Sequence, residues 1–107
     1  MRILIVMLML SLLGGSLAAA NSTTPQLVKS AGNDFHLYRN QGRYYVIGSE
    51  QTLATYLTTG HIPYTLTLPG AGPMGETVVF EIDKNKPRHV EYLQKVFADT
   101  DIAYIFY

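Results

Sequence analysis

Two short runs constrain this chain more than anything else in it: RYYVI at 43–47 and ETVVFEI at 76–82, both apolar on both faces. A run with that pattern suits a central strand of a sheet. Each is followed by a helical stripe. After RYYVI, Ser49 can cap a helix by accepting a first-turn N–H, and Leu53, Tyr56 and Leu57 follow at helical spacing. Gly60 can close that helix in the left-handed conformation. YTLTL at 64–68 then alternates strictly, with Tyr64, Leu66 and Leu68 on one face. After ETVVFEI, Asn85 is the expected cap of a second helix, with Pro87 tolerated in its first turn. Val90, Leu93, Val96 and Phe97 form its apolar stripe, and Glu91 and Lys95 pair at i,i+4 on the outer side. Asp99-Thr100-Asp101 turns the chain into a last strand, IAYIFY.

From Arg43 onward the order is therefore strand, helix, strand, strand, helix, strand. Two β-α-β units in tandem predict an α+β domain: a ferredoxin-like split βαβ sandwich (βαββαβ) with both helices on one face of an antiparallel sheet. RYYVI and ETVVFEI would be its central strands. FHLYR at 35–39, joined to RYYVI through Asn40-Gln41-Gly42 as a hairpin turn, adds an N-terminal strand beside the first or last. The domain is expected over 34–107.

The first thirteen residues, MRILIVMLMLSLL, carry one early Arg and then an apolar run that breaks at Gly14-Gly15. Small residues at Ala18 and Ala20 complete a secretory signal peptide over 1–20, with cleavage after Ala20 and a periplasmic or secreted destination. The run is shorter than the roughly 20 apolar residues of a spanning helix, so the cleaved chain is not expected to span a membrane. The polar, aperiodic stretch 21–33 reads as a flexible leader, and its Asn21-Ser22-Thr23 is a glycosylation sequon where the host glycosylates.

Cleavage leaves 87 residues, a single small domain near the size where one core only just suffices. The chain has no cysteine, so neither disulfides nor thiolate chemistry enter. A homodimer sharing buried surface would be one remedy for the small core. The mature chain would hold seven Lys and Arg against eight Asp and Glu, which gives no electrostatic footprint for nucleic acid.

LPGAGPMGETVVF at 68–80 contains the spacing Gly70-x-Gly72-x-x-Gly75 of a dinucleotide loop. Such a loop must follow a strand and open a helix, whose N-terminus holds the pyrophosphate. Here it joins two strands, with Pro69 and Pro73 interleaved, so no nucleotide or other cofactor is expected. Two readings stand. The glycines and prolines shape a long hairpin connection; or the seven residues 69–75, longer than a hairpin needs, bring backbone close to a ligand.

Catalytic and metal chemistry find little support. His36, His61 and His89 lack ligand spacing, and no metal site is assigned. Ser49 is better used as a helix cap than as a nucleophile. Glu81 and Asp83 point the same way from one strand, but read as the solvated end of that strand and its turn. The eight tyrosines offer large contact area with polar tips. Alternation puts Tyr45, Phe80 and Tyr104 on a helix-free sheet face, and these residues, with His61, Tyr64, Gly70, Gly72 and Gly75, form the expected partner-binding surface.

Three resemblances accompany this reading. YYVIGS and ETVVFEI are similar to the aromatic central-strand motifs of RNA-recognition domains, though export and neutral charge argue against RNA. YYVIGSEQTLATYL resembles the strand-Gly-Ser-helix opening of SPOR domains, which implies an exported domain that binds peptidoglycan strands. VEYLQKVFADTDIAYIFY resembles the closing helix, Asp turn and strand of subtilisin-type propeptides, which implies a protease inhibitor or chaperone acting through its C-terminal tail. The expected function is an exported, non-enzymatic binding module for a cell-wall glycan or another exported protein. The alternatives are the propeptide-like inhibitor and a small metal-dependent enzyme using His61 and the acidic strand.

Overall fold

A computed structural model describes residues 24–102. The expected signal peptide and the closing strand from Ala103 onward lie outside the described residues, as does Tyr104. The elements are β1 (Gln26–Ser30), β2 (His36–Asn40), β3 (Arg43–Ile47), α1 (Glu50–Thr59), β4 (Thr65–Leu68), β5 (Val78–Glu81) and α2 (His89–Asp99). They build an α+β domain around a five-stranded mixed sheet of order β1-β2-β3-β5-β4. As expected from their two apolar faces, β3 and β5 are interior neighbours, and all four residues of β5 are buried.

The strand order is not ferredoxin-like. β3 and β5 pair in parallel, Tyr45 beside Val79 and Val46 beside Phe80, where the expected sheet is antiparallel throughout. β2 occupies the flank of β3 that the closing strand of a ferredoxin-like sheet would take. The physical reason lies between α1 and β4. α1 ends near the β2–β3 turn, where Thr58–Gly60 line one hollow with Asn40 and Gln41. The segment 61–64 then returns to the other end of the sheet, where the Tyr64 carbonyl accepts the Ile82 N–H at 2.8 Å. That extra traverse makes β4 run opposite to β3.

The two helices do not share one face of the sheet, as a ferredoxin-like sandwich requires. Leu37, Tyr44, Val46, Val78 and Phe80 pack with Leu93 and Phe97 of α2 in one buried cluster. Tyr38 and Ile47, with the half-buried Tyr45, pack with Tyr56 and Leu53 of α1 in another. Because successive strand residues alternate faces, the two helices lie on opposite faces of the sheet. Tyr45 and Phe80 therefore point to opposite sides, and neither side at the centre is bare.

Within the segment expected as a flexible leader, Gln26–Ser30 forms β1, paired antiparallel with β2. It carries almost no apolar pattern because it is an edge strand with four of its five residues exposed. Ser49 and Gly60 bound α1 as read: the Ser49 hydroxyl accepts the Thr52 N–H at 3.2 Å, and Gly60 sits at φ 80°. Leu57, which follows Leu53 and Tyr56 at helical spacing, is 48% exposed. For α2 the stripe holds, with Leu93 and Phe97 buried. Its cap does not: the helix starts after Arg88 with no side-chain cap, and the Asn85 N–H donates to Asp83 in the preceding turn. The outer ion pairs are Arg88–Glu91 and Lys95–Asp99, not Glu91–Lys95.

Candidate functional site

Two adjacent parallel strands whose following helices leave to opposite faces open a crevice at their carboxyl ends, the usual ligand position in such sheets. β3 and β5 create one here. Ile47 ends β3 and leads through Gly48 and Ser49 into α1; Glu81 ends β5 and leads toward α2 on the other side. A cleft of about 570 Å³ opens at this end of the sheet, on the α1 side.

Its floor is built around Glu81, which is 5% exposed. One carboxylate oxygen accepts the Gly48 N–H at 2.7 Å; the other accepts the Ser49 hydroxyl at 3.0 Å and the Thr52 hydroxyl at 2.6 Å. The carboxylate thus sits at the N-terminus of α1, where the helix dipole and unpaired N–H groups favour negative charge. Expected as a solvated strand end, Glu81 is instead the internal clasp between α1 and β5. The direct route to this position was the pairing of a C-terminal strand Glu with Ser49 and Thr52, which no short spacing reveals.

Above this floor the walls carry Gln51, Thr55, Asp83 and Asn85, with Tyr64 at the rim. Tyr64 is 51% exposed, and the Lys84 ammonium lies 4.5 Å from its ring centroid. The arrangement combines one accessible aromatic ring with amide, hydroxyl, carboxylate and ammonium groups, so it can stack on a ligand while both donating and accepting hydrogen bonds.

The residues expected to form one binding surface are spread over the molecule. Tyr64 belongs to the cleft. Tyr45 packs under α1 with its ring 5.2 Å from that of Tyr56. Phe80 is buried on the α2 side, edge-on to Phe97 at 5.7 Å. His61 is exposed beyond the end of α1, its N–H donating to the Thr59 hydroxyl. Gly70, Gly72 and Gly75 lie in the β4–β5 connection, at the opposite end of the sheet from the cleft. Gly70 and Gly75 take φ of 78° and 86°, which gives the loop its turns. Its N–H groups are turned inward: Gly72 donates to the Glu76 carbonyl, Gly75 to the Gly72 carbonyl, and Met74 to the Glu76 carboxylate at 2.8 Å. The loop does not have the amide cradle that phosphate needs, and Met74 at its tip is 68% exposed.

Tyr56, at the centre of the α1 cluster, has its phenol pKa pushed up to about 12 by burial, with Tyr45 adding to the rise and Asn40 opposing it. Among the described residues no three His, Asp or Glu side chains converge as metal ligands, and no helix is long and apolar enough to cross a membrane. Comparison of the chain with protein-family models, with curated proteins and with solved structures finds no match.

Proposed function

We propose that this chain is a small exported binding module, and that its ligand is a cell-wall glycan held, without being chemically altered, in the cleft between α1 and the ends of β4 and β5. The observation that carries the reading is the lining: a half-exposed Tyr64 beside Gln51, Thr55, Asp83 and Asn85. Sugars present an apolar ring face and a rim of hydroxyls that both donate and accept, and this set answers both. Export rests on the signal-like run at 1–20 and sends the module to the periplasm or beyond it. The binding surface then lies at the carboxyl ends of the strands and not on a sheet face, since α1 covers Tyr45 and α2 covers Phe80.

Titration of the purified protein with soluble glycan fragments of the cell wall, followed by backbone amide shifts, tests this. Shifts at Thr52, Tyr64 and Asn85, and a weakening of about tenfold or more on Tyr64→Ala, are the expected results. Shifts confined to the 69–75 loop, or none at all, overturn it. A second reading, an exported protein as partner, is favoured by one observation: Met74, an adaptable apolar side chain, is displayed on a loop braced by Glu76. The propeptide-like alternative rests on the last residues of the chain, beyond those described. The metal-dependent alternative would use His61 with the acidic strand, but His61 lies exposed beyond the end of α1 and the Glu81 oxygens already serve Gly48, Ser49 and Thr52.

A further inference from the structure

On the β1–β2 side of the sheet, three side chains from three elements meet. Ser30 and His36 are register partners across β1 and β2, so their side chains project from the same face. The Ser30 hydroxyl lies 3.2 Å from Nδ1 of His36. The other ring nitrogen, Nε2, lies 2.9 Å from the Glu50 carboxylate and 3.2 Å from the Asn33 carbonyl. Glu50 reaches this position because it opens α1, the helix packed on that face.

The tautomer follows from the partners. Both groups at Nε2 are acceptors only, so Nε2 carries a proton. In the neutral imidazole Nδ1 is then the lone-pair nitrogen, and the Ser30 hydroxyl donates to it. The ring is 4% exposed and held by its contacts on both sides, while Ser30 itself is open to solvent. An accessible hydroxyl, a base within hydrogen-bond reach and a carboxylate fixing the base are the parts of an activated nucleophile.

We infer that Ser30, His36 and Glu50 form an acyl-transfer site in which the Ser30 hydroxyl attacks the carbonyl of an activated carboxylic ester. Ser30 Oγ forms the new C–O bond as its proton passes to Nδ1, and Glu50 stabilises the resulting imidazolium. The tetrahedral adduct collapses with loss of the alcohol or phenol, which takes the proton back from Nδ1, and the acyl group remains on Ser30. Water, deprotonated by the same nitrogen, can then release the acid. Ser30 is the nucleophile and His36 the general base; Glu50 is a positioning residue. The site shares no residue with the glycan cleft.

The test uses p-nitrophenyl acetate on the purified protein, with the modified residue located by peptide mass spectrometry. Acetylation is expected at Ser30 in the folded protein, at least about 10²-fold faster than in the urea-unfolded chain, the lower end of what a positioned base supplies. Glu50→Gln lies on the surface and leaves the fold intact. It is expected to slow acetylation about tenfold, and imidazole ¹⁵N shifts should show the Nε2–H tautomer giving way to a mixture. Ser30→Ala should abolish the labelled peptide and leave those imidazole shifts showing Nε2–H. Equal rates in folded and unfolded protein, labelling elsewhere but not at Ser30, or an unchanged rate in Glu50→Gln would each overturn the inference.

Discussion

The Gly48 backbone N–H donates to the Glu81 carboxylate at 2.7 Å, across the seam where β3 and β5 run side by side. The two residues are far apart in sequence, and their bond ties the start of α1 to the end of β5. The cleft at the carboxyl ends of the strands opens above it.

Replacing Glu81 by Gln should therefore destabilise the fold without altering the core. The amide keeps one acceptor oxygen but places an NH₂ among the Gly48, Ser49 and Thr52 donors. A hydrogen bond to a charged group is worth about 1.5–3 kcal/mol, and a stranded buried donor costs a similar amount. A loss of about 2 kcal/mol in urea-unfolding stability is expected, with an unchanged m-value.

Tyr56 gives the fold a dependence on alkaline pH. Its phenol titrates near 10.0 when unfolded and is held up to about 12 in the folded protein. Between these values the unfolded chain loses the proton first, so folding stability falls as pH rises from about 10 to 12 and is fully present below that range. The fall from this one group should approach about 2–3 kcal/mol. Tyr56→Phe should flatten that part of the curve, and the difference between the two proteins isolates Tyr56 from the other tyrosines and the lysines.

How far the sequence could be read depends on the range of the interactions involved. RYYVI and ETVVFEI announced central strands because burial on both faces leaves a local trace, and Ser49 and Gly60 marked α1 because caps act within one turn. The direction of β4 left no such trace: it is decided by the path of 61–64 across the sheet. The same holds for Glu81, which looked like a solvated strand end until Gly48, Ser49 and Thr52 came round to meet it. Ser30 was hidden further, because an exposed edge strand has no apolar periodicity and gains its place only by pairing with β2. Tyr64 stands in the sequence as a single aromatic, and the residues it meets in the cleft come from two other stretches of the chain, 49–55 and 81–85.

In the β4–β5 connection, Glu76 braces the turn through the Met74 N–H at 2.8 Å. Glu76→Ala should loosen the tip while leaving the sheet intact. Exchange of the Met74 amide with deuterium is expected to accelerate about tenfold or more, the equivalent of a charge-assisted bond worth about 1.5 kcal/mol or above, while the amides of β5 remain as protected as before.

Gly48, between β3 and α1, has no room for a side chain. A β-carbon at this position would lie 2.6 Å from Nε2 of His89 and 3.1 Å from a methyl of Leu93, both on α2. The His89 ring is also constrained, stacked on Tyr92 and 3.3 Å from the Gly48 carbonyl. Gly48→Ala should then cost about 1–3 kcal/mol by overpacking. His89→Ala removes the nearer obstacle at the expense of that stacking and hydrogen bond. If the clash is with the imidazole, adding Gly48→Ala to His89→Ala should cost at least about 1 kcal/mol less than adding it to the parent protein, a coupling read from a double-mutant cycle in urea. Additive costs would place the obstruction at Leu93 or in the backbone, and α2 would not then approach β3 through His89.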